Sequence, residues 1–233
     1  MILTAVAILL IAAVLSGDAT GELWQYLRKG DEHGIVGLLR QEGWWQSILS
    51  VFLLCVLQII SVVLPGAVVH IAAGIIYPIL TAFLVCYLGF AAGHALVFYI
   101  VRAVLRREQR QDESHRRPED LIPEKYRNSW LIRKMQQANP ILVTMLSCFM
   151  PGLPNGIIPH IAARTEITLR QYTLAILLSS WLQILCSCVA GHFFIRENYL
   201  ISVLFILLQW IVVWIVAKER DAILEKFPKQ GRK

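Results

Sequence analysis

Residues 43–101 read GWWQSILSVFLLCVLQIISVVLPGAVVHIAAGIIYPILTAFLVCYLGFAAGHALVFYIV and contain no Lys, Arg, Asp or Glu. A bilayer core is about 30 Å thick, and about 20 apolar helical residues cross it. At about 1.5 Å per residue, this stretch is long enough for roughly three crossings. Each helix of a soluble protein would carry charge on its water-facing side. The stretch therefore predicts membrane helices and excludes a soluble domain.

Three further segments also lack charged residues, namely 135–163, 171–195 and 198–217. They are continuous runs rich in Leu, Ile and Val, whereas the strands of a membrane barrel would alternate apolar and polar residues. The backbone of a continuous apolar run is satisfied in lipid by an α-helix. The sequence thus predicts an all-α polytopic membrane protein.

The predicted plan has five parts. Residues 1–16 form a first transmembrane helix or, as the alternative, a cleaved signal peptide, although the positive start of a signal peptide is lacking. Residues 17–44 are polar with interspersed Trp and Tyr, and form either an extracytoplasmic interfacial segment or an exposed loop. Residues 45–195 form the main membrane domain, with a cytoplasmic loop at 102–138. A last transmembrane helix at 199–217 and a basic cytoplasmic tail at 218–233 complete the chain.

Two apolar stretches are interrupted by Pro and Gly. Pro65-Gly66 separates residues 45–64 from an arm of about 13 residues, which reaches only about 20 Å as a helix. The sequence PGLPNG at 151–156 divides 139–163 into an arm of about 11 apolar residues and a second short arm, neither of which spans alone. Arms of this length do not span a bilayer. They predict two re-entrant helical hairpins, beside about four transmembrane helices.

Positive charge orients this plan. Ten of the 22 Lys and Arg residues lie at 102–134, and six follow residue 217. Such residues collect on the cytoplasmic side of a membrane. A re-entrant hairpin at 139–163 returns to the side on which it started, which places the basic tail inside. The same count places the N-terminus inside, and we expect a multi-pass plasma-membrane protein whose two hairpins open on opposite faces.

The two interrupted segments share short sequence motifs that occur in the same order. HIAA occurs at 70–73 and 160–163, each time after a Pro-Gly pair, and AGH follows at 92–94 and 190–192. Repeats of opposite orientation with broken helices are the usual construction of secondary transporters, whose binding site lies near the midplane. We therefore interpret 45–195 as an inverted repeat.

The motifs resemble the DedA superfamily, whose shared region is also called the SNARE-associated Golgi protein or VTT domain. The resemblance covers roughly 45–195 and rests on LPG at 64–66 with AG at 73–74, GFAAG at 89–93 with FY at 98–99 and Arg102, and MPGLPN at 150–155 with RQY at 170–172.

The resemblance implies two opposed re-entrant hairpins and movement of lipids between leaflets. It also implies protons as a candidate second partner beside membrane lipids. Many members carry acidic residues near the first hairpin and after the glycine pair, where this chain has Ala67, Val68 and His94; an Arg often precedes the second Pro motif, where this chain has Cys148. The chain is thus similar to the branch that lacks those acids.

A helix that starts after Pro-Gly directs free N–H groups and its positive dipole end into the membrane, where they could bind a phosphate. Ionisable groups in lipid are costly and often functional. Structural alternatives stay open: simple kinks, neutral histidines hydrogen-bonded between helices, and arginines anchored at the interface. The candidate lipid-headgroup residues are Pro65, Gly66, His70, Gly74, His94, Arg102, Pro151, Gly152, Pro154, Asn155, His160, Arg164 and Arg170.

Other functions find less support. The chain lacks the sequence signatures of nucleophile elbows, zinc proteases and P-loops, so we predict neither an enzyme nor a cofactor. A nucleic-acid surface would need interleaved aromatic residues on a soluble face. The five cysteines lie in apolar runs and are interpreted as packing residues without a metal; Gly89 and Gly93 are expected to permit close helix packing. The rival functions are an ion-coupled small-solute or metal transporter and a non-transporting scaffold or assembly factor.

Overall fold

The structure, a computed structural model, describes residues 44–61, 66–111, 134, 138–150 and 154–226. Seven α-helices lie in these residues: α1 (Trp44–Ser61), α2 (Gly66–Ile76), α3 (Ile79–Gln111), α4 (Pro140–Ser147), α5 (Ile157–Ala162), α6 (Leu169–Phe194) and α7 (Tyr199–Lys226). The predictions for 1–16 and for 17–43 lie outside the described residues. So do the predicted site residues Pro65, Pro151 and Gly152.

Three helices are long and apolar enough to cross a membrane: Ile79–Arg107, Leu169–Phe194 and Tyr199–Lys226. The helix α7 is almost entirely exposed, and its apolar side chains, such as Leu200 at 79% exposure, lie on its outer surface. Lipid tails can cover such a surface, whereas water cannot do so without a large hydrophobic cost. The predicted all-α membrane class is confirmed.

Two helices end later than the sequence analysis expected. The helix α3 continues to Gln111, so that Arg102 lies inside it and the loop does not begin at 102. The last helix continues to Lys226 rather than ending at 217. The sequence has no Pro or Gly between 102 and 111 or between 218 and 226. Loss of hydrophobicity marks the end of an apolar segment, whereas a helix can continue into water until a breaking residue or a better cap ends it.

The chain divides into two compact units. In the first, α1 and α2 contact one another and pack with the beginning of α3 (to Gly93), with 181–194 of α6 and with 199–211 of α7. Glycines set these contacts. A Cβ added at Gly89 would lie 2.9 Å from the carbonyl oxygen of Phe52, and one at Gly93 would lie 3.0 Å from Cα of Val56. The expectation that these two glycines permit close packing is confirmed.

The helices α2 and α6 approach still more closely. A Cβ on Gly74 would lie 2.0 Å from the carbonyl oxygen of Cys188, and a Cβ on Gly191 would lie 2.1 Å from that of Ile71. Each helix therefore uses a glycine to accommodate the backbone of the other. In the same unit, Ser202 donates a hydrogen bond of 2.8 Å to the Ala190 carbonyl, which joins α7 to α6.

The second unit contains 94–111 of α3, the helices α4 and α5, 169–180 of α6 and 212–226 of α7. The helices α4 and α5 contact one another. Asn139 caps α4 by accepting a hydrogen bond from the Ile141 N–H, and Pro140 occupies the first turn, where no N–H is needed. In α7, Leu224 is buried and Asp221 forms an ion pair of 3.2 Å with Lys134. The predicted tail thus begins as a packed part of a helix.

Candidate functional site

Both units contain helical arms that are too short to cross a bilayer. In the first unit α2 has 11 residues. In the second, α4 has 8 and α5 has 6. At about 1.5 Å per residue these arms reach about 16, 12 and 9 Å, against a core of about 30 Å. The described arms therefore agree with the hairpins predicted from 65–66 and 151–156.

The first unit buries polar side chains beside its short arm. His70 of α2 is 3% exposed, and its Nε2 lies 3.5 Å from Nε2 of Gln58 on α1. The Phe90 ring lies edge-on to the imidazole, with 6.1 Å between ring centroids. Ser47 and Tyr77 share a hydrogen bond between their hydroxyl groups. These contacts tie both ends of α1 to the segment from α2 to Tyr77.

Gly66 lies at the start of the same arm. A Cβ at this position would lie 2.9 Å from Oε1 of Gln58 and 3.7 Å from Cε1 of His70. Two predicted site residues, Gly66 and His70, are thus brought together around Gln58, which the sequence analysis did not select. Its signal was available: Gln58 is an amide within an otherwise apolar run. The third predicted residue of this arm, Gly74, is used for packing against α6.

The second unit contains a line of side chains along α3. Nδ1 of His94, a fully buried residue, lies 2.7 Å from the hydroxyl of Tyr172 on α6. The Tyr172 ring stacks on Phe98 with 4.5 Å between centroids. The guanidinium of Arg102 also contacts the Phe98 ring, and its central carbon lies 4.5 Å from the ring centroid. We call His94, Phe98, Arg102 and Tyr172 the α3 line.

Arg102 is held by backbone oxygens. Its Nε donates to the Ala163 carbonyl at 3.2 Å, and its two terminal nitrogens donate to the carbonyls of Thr165 and Ile167. These carbonyls belong to the C-cap residue of α5 and to the connection that follows it, outside the hydrogen-bond ladder of the helix. The planar guanidinium suits several acceptors at once. The described role of Arg102 is therefore to fix the connection from α5 to α6, and contact with a lipid phosphate stays a prediction.

The remaining predicted residues serve the second hairpin or its surface. His160 Nδ1 lies 2.9 Å from the Gly156 carbonyl, and Arg164 donates to the His160 carbonyl. Asn155 is half-buried, whereas Pro154 and Arg170 are exposed. The structure thus links His160 to Arg164 within α5 and its end, and separately links His94 to Arg102 through the α3 line. It places Arg170 in the first turn of α6.

We expect Tyr172→Phe to destabilise the second unit modestly. The substitution keeps the stack on Phe98 but removes the hydroxyl that meets His94, which leaves a buried imidazole nitrogen without this partner. Loss of one such hydrogen bond costs about 1 kcal/mol, and somewhat more when a buried group loses its partner. Thermal unfolding of the purified protein in detergent measures the change. Tyr99→Phe on the exposed face of α3 is the matched control, and equal melting of the two variants would contradict the prediction.

All five cysteines are buried and free, which agrees with their interpretation as packing residues rather than disulfides. One part of that interpretation is incomplete. Among the described residues, Cys55, His70 and Cys86 present ligand atoms that all lie within 4.8 Å of one another. The three residues lie on three different helices, so no local spacing in the sequence indicates that they form a group. The four membrane histidines themselves form no such group in the described part of the chain.

Comparison with known protein families identifies the family to which the chain belongs. Residues 64–193 match the model of the VTT domain, which includes α2, α3, both arms of the second hairpin and nearly all of α6. This match covers more than half of the 233 residues. Neither the comparison with curated proteins nor that with solved structures produced a match.

Proposed function

The chain belongs to the VTT domain family of DedA membrane proteins, and from this premise we propose that it moves lipids between the two leaflets of a bilayer. The substrate class is a phospholipid or a lipid-phosphate carrier. No nucleotide-binding loop of the P-loop type occurs in the sequence, so movement is passive or coupled to an ion such as the proton. The proposal involves no enzymatic step and no cofactor.

One observation supports this function above the others: each unit contains apolar helical arms that cannot span the bilayer, namely α2 in the first unit and α4 and α5 in the second. Interrupted helices leave backbone N–H and C=O groups without intrahelical partners. At membrane depth such groups are tolerated where they are buried in protein or line a water-filled cavity. A lipid headgroup needs polar partners of this kind at mid-depth, since apolar helices alone offer none.

We further propose the plasma membrane as the location, with both termini in the cytoplasm. The support is the charge distribution: 18 Lys and Arg residues fall on segments assigned to the inside and 4 on those assigned outside. Labelling of single cysteines at 60–70 and 148–156 by membrane-impermeant reagents tests the orientation. Each tip should react from the side on which its hairpin opens, and reaction from the opposite side would contradict the re-entrant arrangement.

Scrambling in liposomes tests the function. Purified protein is reconstituted with a trace of fluorescent phospholipid, and dithionite is added outside. The wild-type chain should expose the inner-leaflet lipid to the reagent, whereas protein-free liposomes should protect it. Protection by the wild-type chain equal to that of empty liposomes would overturn the proposal. Uptake of a metal ion that disappears in His70→Ala and His160→Ala would instead support the rival metal transporter.

A proline pair makes this test specific. Pro65→Ala and Pro151→Ala remove the helix-breaking residues of the two interruptions, and Ala is favoured over Pro in a helix by about 3 kcal/mol. Since about 1.4 kcal/mol corresponds to a tenfold change in rate, we expect each variant to scramble at least about tenfold more slowly. Pro118→Ala, which lies in the charged segment between α3 and α4, is the matched control and should scramble like the wild type. Equal scrambling rates for all three variants would show that scrambling does not depend on the two helix interruptions.

A further inference from the structure

The thiols of Cys55 and Cys86 and the imidazole of His70 converge in the first unit. The Sγ atoms and one ring nitrogen of His70 all lie within 4.8 Å of one another. Both cysteines are fully buried and His70 is 3% exposed. Cys55 is on α1, His70 on α2 and Cys86 on α3. The candidate lipid site does not need these two thiols, and the packing of three apolar helices does not require their sulfur atoms to meet an imidazole.

We propose that Cys55, His70 and Cys86 form a binding site for one Zn²⁺ ion. Thiolate and imidazole are the ligands that zinc prefers, at about 2.3 Å for sulfur and about 2.0 Å for nitrogen. Tetrahedral geometry at these bond lengths separates two sulfur atoms by about 3.8 Å. The present separations exceed this by at most about 1 Å, which changes of side-chain rotamer can close. This inference goes beyond lipid movement and does not depend on it.

The hydrogen bonding of His70 supports a ligand at this place. With the Gln58 amide oriented as described, its Nε2 donates to Nε2 of His70 at 3.5 Å, which puts the imidazole proton on Nδ1. Nδ1 of His70 and Oε1 of Gln58 are both buried, and neither has a hydrogen-bond partner among the residues that the structure describes. Two buried polar atoms without partners are costly.

The Gln58 amide, when turned by 180°, places the imidazole proton of His70 on the other ring nitrogen. Its oxygen then accepts the proton of His70 Nε2, and Nδ1 becomes an unprotonated nitrogen with a lone pair. Amide oxygen and nitrogen positions are assigned from such networks. Histidines that bind a metal through one nitrogen usually donate from the other nitrogen to an oxygen atom. Gln58 would thus be a positioning residue for the zinc ligand.

Charge balance favours Zn²⁺ over a monovalent soft cation. Two thiolates, one neutral imidazole and Zn²⁺ sum to zero, whereas the same ligands around Cu⁺ would leave one negative charge. A net charge within a membrane segment is expensive. Binding releases one proton from each of the two thiols, so that two Zn–S bonds replace two S–H bonds.

Metal analysis of the full chain tests the site. The wild-type protein is purified in detergent without chelators, equilibrated with ZnCl₂ and freed of excess metal, and zinc per chain is measured by mass spectrometry. We expect about one ion per chain and at least about tenfold less in Cys55→Ser, Cys86→Ser and His70→Ala. Cys186→Ser is the matched control, because Cys186 is equally buried in the same unit but lies outside the cluster. It should retain zinc.

A measurement on the wild-type protein tests the site even if the variants fail to fold. The zinc X-ray absorption spectrum should show a first shell with two sulfur atoms and at least one imidazole nitrogen. A shell of nitrogen and oxygen alone, or zinc content equal in the wild type and in folded Cys55→Ser, would overturn the proposal. Binding of copper in place of zinc at these ligands would overturn the choice of Zn²⁺ over Cu⁺ that was argued from charge balance. Zinc bound as described in a chain that does not scramble would leave this inference intact while contradicting the proposed function.

Discussion

Replacing Gly191 by alanine should prevent the native packing of α2 against α6, and Gly74→Ala should do the same. The added Cβ atoms would lie 2.1 Å from the Ile71 oxygen and 2.0 Å from the Cys188 oxygen. Both obstacles are backbone atoms, which cannot rotate away as the end of a side chain can. Overpacking costs about 1–3 kcal/mol where side chains can adjust, so we expect losses of at least about 3 kcal/mol here.

Unfolding monitored with a thiol-reactive dye suits this test because all five cysteines are buried in the native state. The two variants should react at once, or at a much lower temperature than the wild type. Gly66→Ala is the matched control, since the atom nearest to its added Cβ is the terminal oxygen of the flexible Gln58 side chain, at 2.9 Å. Wild-type melting of Gly191→Ala would show that the two helices are farther apart than described.

The second large effect is expected at Arg102. Arg102→Ala removes three hydrogen bonds to the carbonyls of Ala163, Thr165 and Ile167, together with the contact on Phe98. Hydrogen bonds from a charged donor contribute about 1.5–3 kcal/mol each. Because Arg102 is only partly buried, we expect a loss on the order of 3 kcal/mol rather than the full sum.

Two further substitutions define what Arg102 contributes. Arg102→Lys keeps the charge but lacks the planar fork, so it should recover only part of the stability. Arg170→Ala removes an exposed arginine from the first turn of α6 and should melt close to the wild type. If Arg102→Lys were as stable as the wild type, the positive charge rather than the three directed bonds would be responsible. If Arg102→Ala were also as stable, neither would contribute.

The membrane class and the broken helices could be predicted from local sequence. Charge-free length predicts helices in lipid, and Pro-Gly pairs between apolar arms predict interruptions, because both depend on the chemistry of neighbouring residues. The ends of α3 and α7 could not be predicted in this way. Hydrophobicity reports where a segment leaves the bilayer, but the described helices continue for nine or ten residues beyond that point.

The interaction partners of the selected residues could be identified only from the tertiary structure. Arg102 meets carbonyls more than 60 residues away in sequence, and Gly74 meets the backbone of Cys188. The sequence places His70, Gln58 and the five cysteines in apolar runs, where each is acceptable as a packing residue by itself. Three of these residues are instead interpreted as metal ligands, because three helices bring the ligand atoms of Cys55, His70 and Cys86 within 4.8 Å of one another. Local composition determined that these segments enter a membrane, whereas contacts between distant helices decided which polar atoms meet there, since helical periodicity alone does not specify the neighbouring helix.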